Sequence, residues 1–151
     1  MKIGIGADHR GFSAKLQIVK YLCKRRHSVK DYGTDSEAPA DYPDIAIIVA
    51  EAVAKKKVKY GLLLCYSGQG MVMAANKVRG IRAALCADAK SARFARAHNN
   101  ANVLVMPAGF LKFGKKMQAI IDTFLETVFE GGRHLRRIRK ISRYENSPHR
   151  I

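Results

Sequence analysis

The stretch Tyr60-Gly61-Leu62-Leu63-Leu64-Cys65-Tyr66-Ser67-Gly68-Gln69-Gly70-Met71 decides the fold. Leu62, Leu63 and Leu64 form a short apolar run, the pattern of a strand buried on both faces of a parallel sheet. The run stops at Cys65. Ser67-Gly68-Gln69-Gly70 then supplies a hydroxyl and two glycines, which let the backbone turn sharply and approach a ligand closely. Met71-Val72-Met73-Ala74-Ala75 follows with residues able to continue as a helix whose first amides point back into the loop. Strand, glycine loop and helix N-terminus together make a site for an anion or a developing oxyanion. Cys65 falls at the carboxyl end of the strand, where open α/β sheets bind their ligands. An ordinary buried core cysteine is the competing reading.

Outward from this stretch, strand and helix patterns alternate. Lys2 to Ala7 reads as a first strand, and Phe12 to about Arg26 as a helix with Phe12, Leu16, Val19, Leu22 and Cys23 on its buried face. Ser28 to Tyr32 is a second strand, followed by a polar connection and a helix from about Pro43 to Lys56, proline suiting its first turn. Gly80 to Cys86 is a fourth strand, and Ala87 to about His98 a helix that Asp88 can cap. Asn102 to Met106 is a fifth strand ended by Pro107. The next helix, about Leu111 to Phe129, turns Met117, Ile120, Ile121, Phe124 and Leu125 inward. Gly131-Gly132 breaks it, and a basic helix starts near Arg133. The expected fold is α/β: one domain over residues 1–151, a doubly wound, Rossmann-like, five-stranded parallel sheet with helices on both faces, and a C-terminal basic helix.

A chain of 151 residues, 48% apolar, can bury a core of its own. No apolar run is long enough to span a bilayer, and the opening residues lack the pattern of a secretory signal. Cys23, Cys65 and Cys86 are odd in number and widely spaced, which suits reduced thiols in a cytoplasmic protein rather than disulfides or zinc. The net charge of +16 points first to nucleic acid and second to a phosphorylated small molecule. Arg133, Arg136, Arg137, Arg139, Lys140, Arg143 and Arg150 crowd the last part of the chain against one acid, Glu145. Few aromatics interleave with them for base stacking, so nucleic acid is the weaker reading.

Three further groups can carry chemistry. Asp8-His9 follows the first strand and shares the Cys65 edge if the two strands are neighbours; the alternative is a simple turn and cap. Gly4-Ile5-Gly6 fails as a dinucleotide fingerprint because His9 stands where a third glycine belongs. His98-Asn99-Asn100 closes a helix, where a histidine serves either as a cap or as a general acid or base. Arg133 and Arg137, spaced i,i+4, present two guanidinium groups on one helix face, fit either to clamp a phosphate or to sit in solvent.

In order along the chain stand Asp8-His9-Arg10-Gly11, Asp41-Tyr42-Pro43, Cys65-Tyr66-Ser67-Gly68-Gln69-Gly70, Ala74-Ala75-Asn76-Lys77, Gly80-Ile81-Arg82-Ala83, His98-Asn99 with Asn102-Val103-Leu104, and Gly131-Gly132-Arg133-His134-Leu135-Arg136-Arg137. This combination resembles the type B ribose-5-phosphate isomerases and the related galactose-6-phosphate isomerase subunits, over residues 1 to about 145. The resemblance implies a cofactor-free, metal-free aldose–ketose isomerase acting on a phosphorylated sugar, as a homodimer or dimer of dimers with sites between subunits. It implies ribose 5-phosphate and ribulose 5-phosphate as the substrate pair, with a hexose 6-phosphate or a tetrose phosphate as the alternative.

Carried over by position, Cys65 matches the family's base and His98 the residue that helps open the sugar ring. Ser67, Gly68, Gln69, Gly70 and Met71 match the loop that holds the enediolate end, the Ser67 hydroxyl included. Asp8, His9, Tyr42 and Asn99 match substrate-binding positions, and Arg133 and Arg137 phosphate ligands. The chemistry asks for a thiolate whose pKa the loop amides and helix N-terminus lower. Two departures stand out: Tyr66 and Ser67 replace the family's usual glycine and threonine, and the family's arginine after the fifth strand is absent from Met106 to Lys112. Lys112 is the cation that could replace it.

Overall fold

The computed structural model describes residues 1–147, so Arg150 lies outside the described residues. Five parallel strands form one sheet: β1 (Lys2–Ala7), β2 (Ser28–Asp31), β3 (Tyr60–Cys65), β4 (Ala83–Leu85) and β5 (Val103–Pro107), in the order β2-β1-β3-β5-β4. Between and after them run α1 (Phe12–Lys24), α2 (Tyr42–Ala54), α3 (Gln69–Ala75), α4 (Ala89–Ala97), α5 (Lys115–Glu126) and α6 (Gly132–Asn146).

The period of two along a strand divides the core. Leu62 and Leu64 pack with Ile18 and Leu22 of α1, Ala92 and Ala95 of α4, and Met117, Ile120, Ile121 and Phe124 of α5. Leu63 and Cys65 point the other way, to Ile45, Val49 and Val53 of α2 and Met71 and Ala75 of α3. All three leucines are fully buried, which is why this run carries no polar residue. Because α1 and α2 cover opposite faces, the winding reverses between β1 and β3. An open sheet has its ligand crevice at that reversal.

Several boundaries differ from the expected ones. β4 is shorter than Gly80–Cys86, because the Ile81 N–H turns back to the Val78 carbonyl at 3.1 Å and the Arg82 N–H goes to the Asn102 side chain at 2.8 Å, so neither joins the ladder. Asp88 caps α4 as expected: its carboxylate takes the Ser91 N–H at 2.7 Å in a reciprocal capping box.

The buried face of α1 is not the expected one. Lys15, Ile18 and Leu22 are buried, whereas Leu16 and Cys23 are exposed. Lys15 enters the interior because its ammonium meets Asp31 at 2.7 Å and the Thr34 carbonyl, and lies 5.3 Å from the centroid of the Phe12 ring. That ties the end of β2 and the following turn to α1.

The basic helix α6 buries His134 and Ile138 and exposes its arginines. Its far end is pinned across the β4 edge, where Glu145 accepts the Gly80 N–H at 2.8 Å. No helix among the described residues is long and apolar enough to cross a membrane.

Candidate active site

The parallel sheet sorts the expected site residues into two groups. Every strand ends at the carboxyl edge, and every crossover helix returns the chain to the amino edge. Cys65 ends β3, Asp8 and His9 follow β1, Tyr42 opens α2, and Ser67 to Met71 lead into α3. These share the carboxyl edge, at the β1/β3 reversal, and the Asp8 N–H donates to the Leu64 carbonyl at 3.1 Å. The expectation that Asp8-His9 and Cys65 lie side by side is met.

Cys65 is nearly buried, and its sulfur accepts the Gly68 N–H at 3.1 Å. Gly68 has φ +78°, a left-handed conformation that glycine adopts without cost, and a Cβ there would also overlap Leu85. A Cβ on Gly70 would overlap the Tyr42 ring, so the second glycine lets α3 start against Tyr42. Burial pushes the Cys65 thiol up, and the Asp8 charge adds to this; the Gly68, Met71 and Ser67 amides oppose it. Desolvation wins over the amides, contrary to the lowered pKa expected from the sequence.

Asp8 accepts the Arg10 and Gly11 N–H groups on one carboxylate oxygen, at 2.9 and 3.0 Å, and its other oxygen takes no part in that turn. The Ala40 N–H donates to His9 Nδ1 at 3.3 Å, which leaves Nε2–H of a neutral His9 as a donor. Tyr66 turns toward the loop after β5, with its ring edge-on to Phe110 at 5.2 Å and the Arg10 guanidinium 5.9 Å from its centroid. Lys112 lies exposed in that same loop, which puts it at the carboxyl edge of its own chain.

The second group stands at the opposite edge. His98 is the C-cap of α4, and the Arg82 guanidinium donates to the Asn99 and Asn100 carbonyls at 3.1 and 3.0 Å, just ahead of β4. Arg133 and Arg137 lie in the first turns of α6, exposed beside them. The sheet of up to six residues holds the two groups roughly 15–20 Å apart. One chain therefore does not bring Cys65 and His98 to one substrate.

Two residues of the second group escaped the sequence reading. His134 stacks on His98 with ring centroids 4.1 Å apart and planes 7° apart, and Glu130 lies against both rings. The Glu130–His134 spacing of i,i+4 was visible, but it is submerged in a run of basic residues that reads as a solvated face.

Arg96 supports this group from below. It is buried, and donates to the Tyr60 hydroxyl at 2.8 Å, the Ala101 carbonyl at 2.6 Å and Asn100 at 2.9 Å. This fixes the turn that presents His98 and Asn99.

A cavity of about 970 Å³ opens between α6 and the β4 edge, lined by Ile81, Leu85, Phe94, Ile138 and Tyr144, with Asn99 at its border. Its one thiol, Cys86, is pushed by burial up to about 11, so it is no nucleophile at neutral pH.

Comparison with known proteins agrees with the geometry. The profile of the Ribose/Galactose Isomerase family matches residues 3–141. Ribose-5-phosphate isomerase B of Escherichia coli is 43% identical over 145 residues, 95% of this chain and 96% of that one. The solved ribose-5-phosphate isomerase B of Clostridium thermocellum superposes with a TM-score of 0.94 at 43% identity, covering 96% of this chain and 97% of the other. The Mycoplasma genitalium enzyme, solved with bound ribulose-5-phosphate, gives a TM-score of 0.92 at 44% identity, with 97% of each chain covered. With its fold and its sequence both matching, this chain belongs to the ribose/galactose isomerase family.

Proposed function

We infer that this protein is an aldose–ketose isomerase that interconverts ribose 5-phosphate and ribulose 5-phosphate through an enediolate. The observation that carries the reading is the Cys65 loop: a buried sulfur at the sheet's reversal point, facing the amide of a left-handed glycine, with Asp8 and His9 alongside. The relative of known structure with ribulose-5-phosphate bound supports the choice of sugar.

In this reading Cys65 takes the proton from C2 of the open-chain aldose and returns it to C1, while the proton of the C2 hydroxyl passes to the C1 oxygen. The electrons stay within the sugar, so the reaction calls for no redox cofactor. The negative charge that builds on the C1 oxygen meets the Ser67 hydroxyl and the amides from Ser67 to Met71, Gly68 to Gly70 between them. Asp8, Tyr42 and Asn99 hold sugar hydroxyls, and His9 Nε2–H, Arg133 and Arg137 take the phosphate. His98 moves the proton that ring opening requires.

The two groups act together when a second copy brings its amino edge to the carboxyl edge of the first. A two-fold pair does this twice, once for each site, because the same two surfaces meet in both directions. A homodimer with sites between its subunits follows from the roughly 15–20 Å that separates the groups in one chain. The three unpaired cysteines suit a reducing cytoplasm. The charge of +16 gives nucleic acid no groove-reading element and is left to phosphate attraction and non-specific binding.

The test is an assay of purified protein on ribose 5-phosphate, allose 6-phosphate, galactose 6-phosphate and a tetrose phosphate, with Cys65→Ala beside the wild type. Ribose 5-phosphate should be turned over fastest. Cys65→Ala should lose nearly all turnover with KM little changed, because a base contributes in the transition state. Since the thiol is raised, the rate should climb with pH from neutral into the alkaline range. Near-normal turnover by Cys65→Ala overturns the assignment of the base.

A further inference from the structure

His98 is held by more than its own helix. Phe94, one turn earlier, packs against its ring at 4.8 Å, and His134 stacks on it at 4.1 Å. Glu130 Oε2 stands 3.6 Å from His98 Nε2 and 3.7 Å from His134 Nε2, the range of an ion pair. Both distances exceed a hydrogen bond, so the carboxylate must turn toward one ring to accept its N–H. The backbone fixes this placement, because the Glu130 N–H donates to the carbonyl of Ala97, the residue just before His98, at 3.0 Å.

The three donor atoms lie within 4.8 Å of one another, a spacing that can hold a metal ion. The ring geometry does not suit one. In near-parallel rings 4.1 Å apart, an ion between the two nitrogens lies roughly 2 Å out of each ring plane, whereas imidazole lone pairs lie in the plane. The arrangement is that of two stacked imidazoles sharing one carboxylate.

The two rings do not compete equally for it. Burial first, then the charges of His98 and Arg133, hold His134 below the ordinary imidazole value, with Glu130 opposing and Arg137 adding to the depression. The lowered value favours the neutral form of His134, and a neutral ring can lie flat against His98. Arg133 and Arg137 on α6 act on His134, and Arg82 ahead of β4 donates to the carbonyls of Asn99 and Asn100, so the neighbouring arginines are all positive. Glu130 is the carboxylate of the group.

We propose that Glu130 is a positioning residue for the ring-opening histidine: it takes the Nε2–H of His98, fixes that tautomer, and leaves Nδ1 to exchange the proton with the sugar. His134 meanwhile holds the plane of the ring. The proposal rests on the reading of His98 given above. In ring opening, Nδ1 takes the proton of the C1 hydroxyl. The electron pair left on that oxygen forms the C1 carbonyl as the bond from C1 to the ring oxygen breaks, the broken bond's pair going to the ring oxygen, and the imidazolium returns the proton there. Both oxygens are bonded to C1, so one nitrogen reaches them in turn. Glu130 stabilises the imidazolium between the two transfers, as a carboxylate does for a catalytic histidine elsewhere.

The test compares wild type with Glu130→Ala, Glu130→Gln and Glu130→Asp. Two readouts are used: ring nitrogen chemical shifts of His98 in the free protein, and kcat on ribose 5-phosphate against an open-chain tetrose phosphate. The wild type should show His98 as the Nε2–H tautomer, and Glu130→Ala a mixture. On ribose 5-phosphate Glu130→Ala should lose about 10- to 100-fold in kcat, the usual cost of losing an orienting partner, and on the tetrose phosphate less than about threefold. Glu130→Asp should restore part of the loss, and Glu130→Gln, which keeps the shape, less. Unchanged His98 shifts in Glu130→Ala, or equal losses on both sugars, overturn the proposal. A wild type that turns over neither sugar refutes the isomerase reading instead, and the nitrogen shifts still decide the tautomer.

Discussion

The proposed homodimer, with each site split between the carboxyl edge of one copy and the amino edge of the other, has a numerical consequence when two crippled chains are mixed. Cys65→Ala damages only the carboxyl-edge half of a protomer, and Arg137→Ala only the amino-edge half. In a mixed dimer, one site receives the damaged half of each chain and the other receives the two intact halves. Random reassortment of equal amounts gives half mixed dimers, each with one working site of two, so about a quarter of wild-type activity should return. A site built within one chain would give no recovery at all, because each chain carries its own damaged half. The assay unfolds both variants together in urea, refolds them by dilution, and follows ketose phosphate formation against each variant refolded alone. Activity that stays at the level of the two separate variants, with mixed dimers verified by mass spectrometry, refutes the shared-site reasoning. A mixture of Cys65→Ala with Ser67→Ala serves as control: both changes lie in the same half, so no intact site can form.

Two more outcomes follow from the described contacts. Arg137→Ala should lower kcat/KM on ribose 5-phosphate roughly 30- to 1000-fold, about 2–4 kcal/mol for a charge-assisted phosphate contact, while Arg139→Ala, outside the i,i+4 pair with Arg133, stays near wild type; steady-state kinetics on both variants decides it. Cys86 holds its proton more tightly folded than unfolded, so it adds stability below its ordinary 9.0 that is lost as pH rises through about 11. Between pH 8 and pH 11 the wild type should lose about 2–3 kcal/mol more than Cys86→Ala does, measured by urea unfolding.

Much of the fold was legible because strand and helix periods differ and the buried run at Leu62–Leu64 has no polar residue to confuse it. The edge assignment was legible in principle too, since a helix between parallel strands must end at the amino edge, and His98 ends one. What hid was chemistry that depends on a distant partner. Lys15 reads as a surface residue until Asp31 is brought to it, and Leu16 reads as core until Lys15 has taken that place. Glu130 and His134 sit amid arginines, and no pattern of charge reports that the chain folds His134 flat against His98. The raised Cys65 pKa escaped for a like reason: sequence reveals the amides that lower it but not the burial that outweighs them.

Lys15 also makes the protein its own reporter of opening. It is the one buried lysine among the described residues, 1% exposed, with its amine engaged by Asp31 and Thr34. Amine-reactive labels will mark the lysines of the surface at once, and reach this one only when α1 lifts from the end of β2. Peptide mapping of labelled protein over time then separates surface reactivity from the breathing of the first β-α-β unit, with no probe introduced. Substrate held at the carboxyl edge, where His9 touches Ala40 in the connection after β2, should slow that single label while leaving the others unchanged.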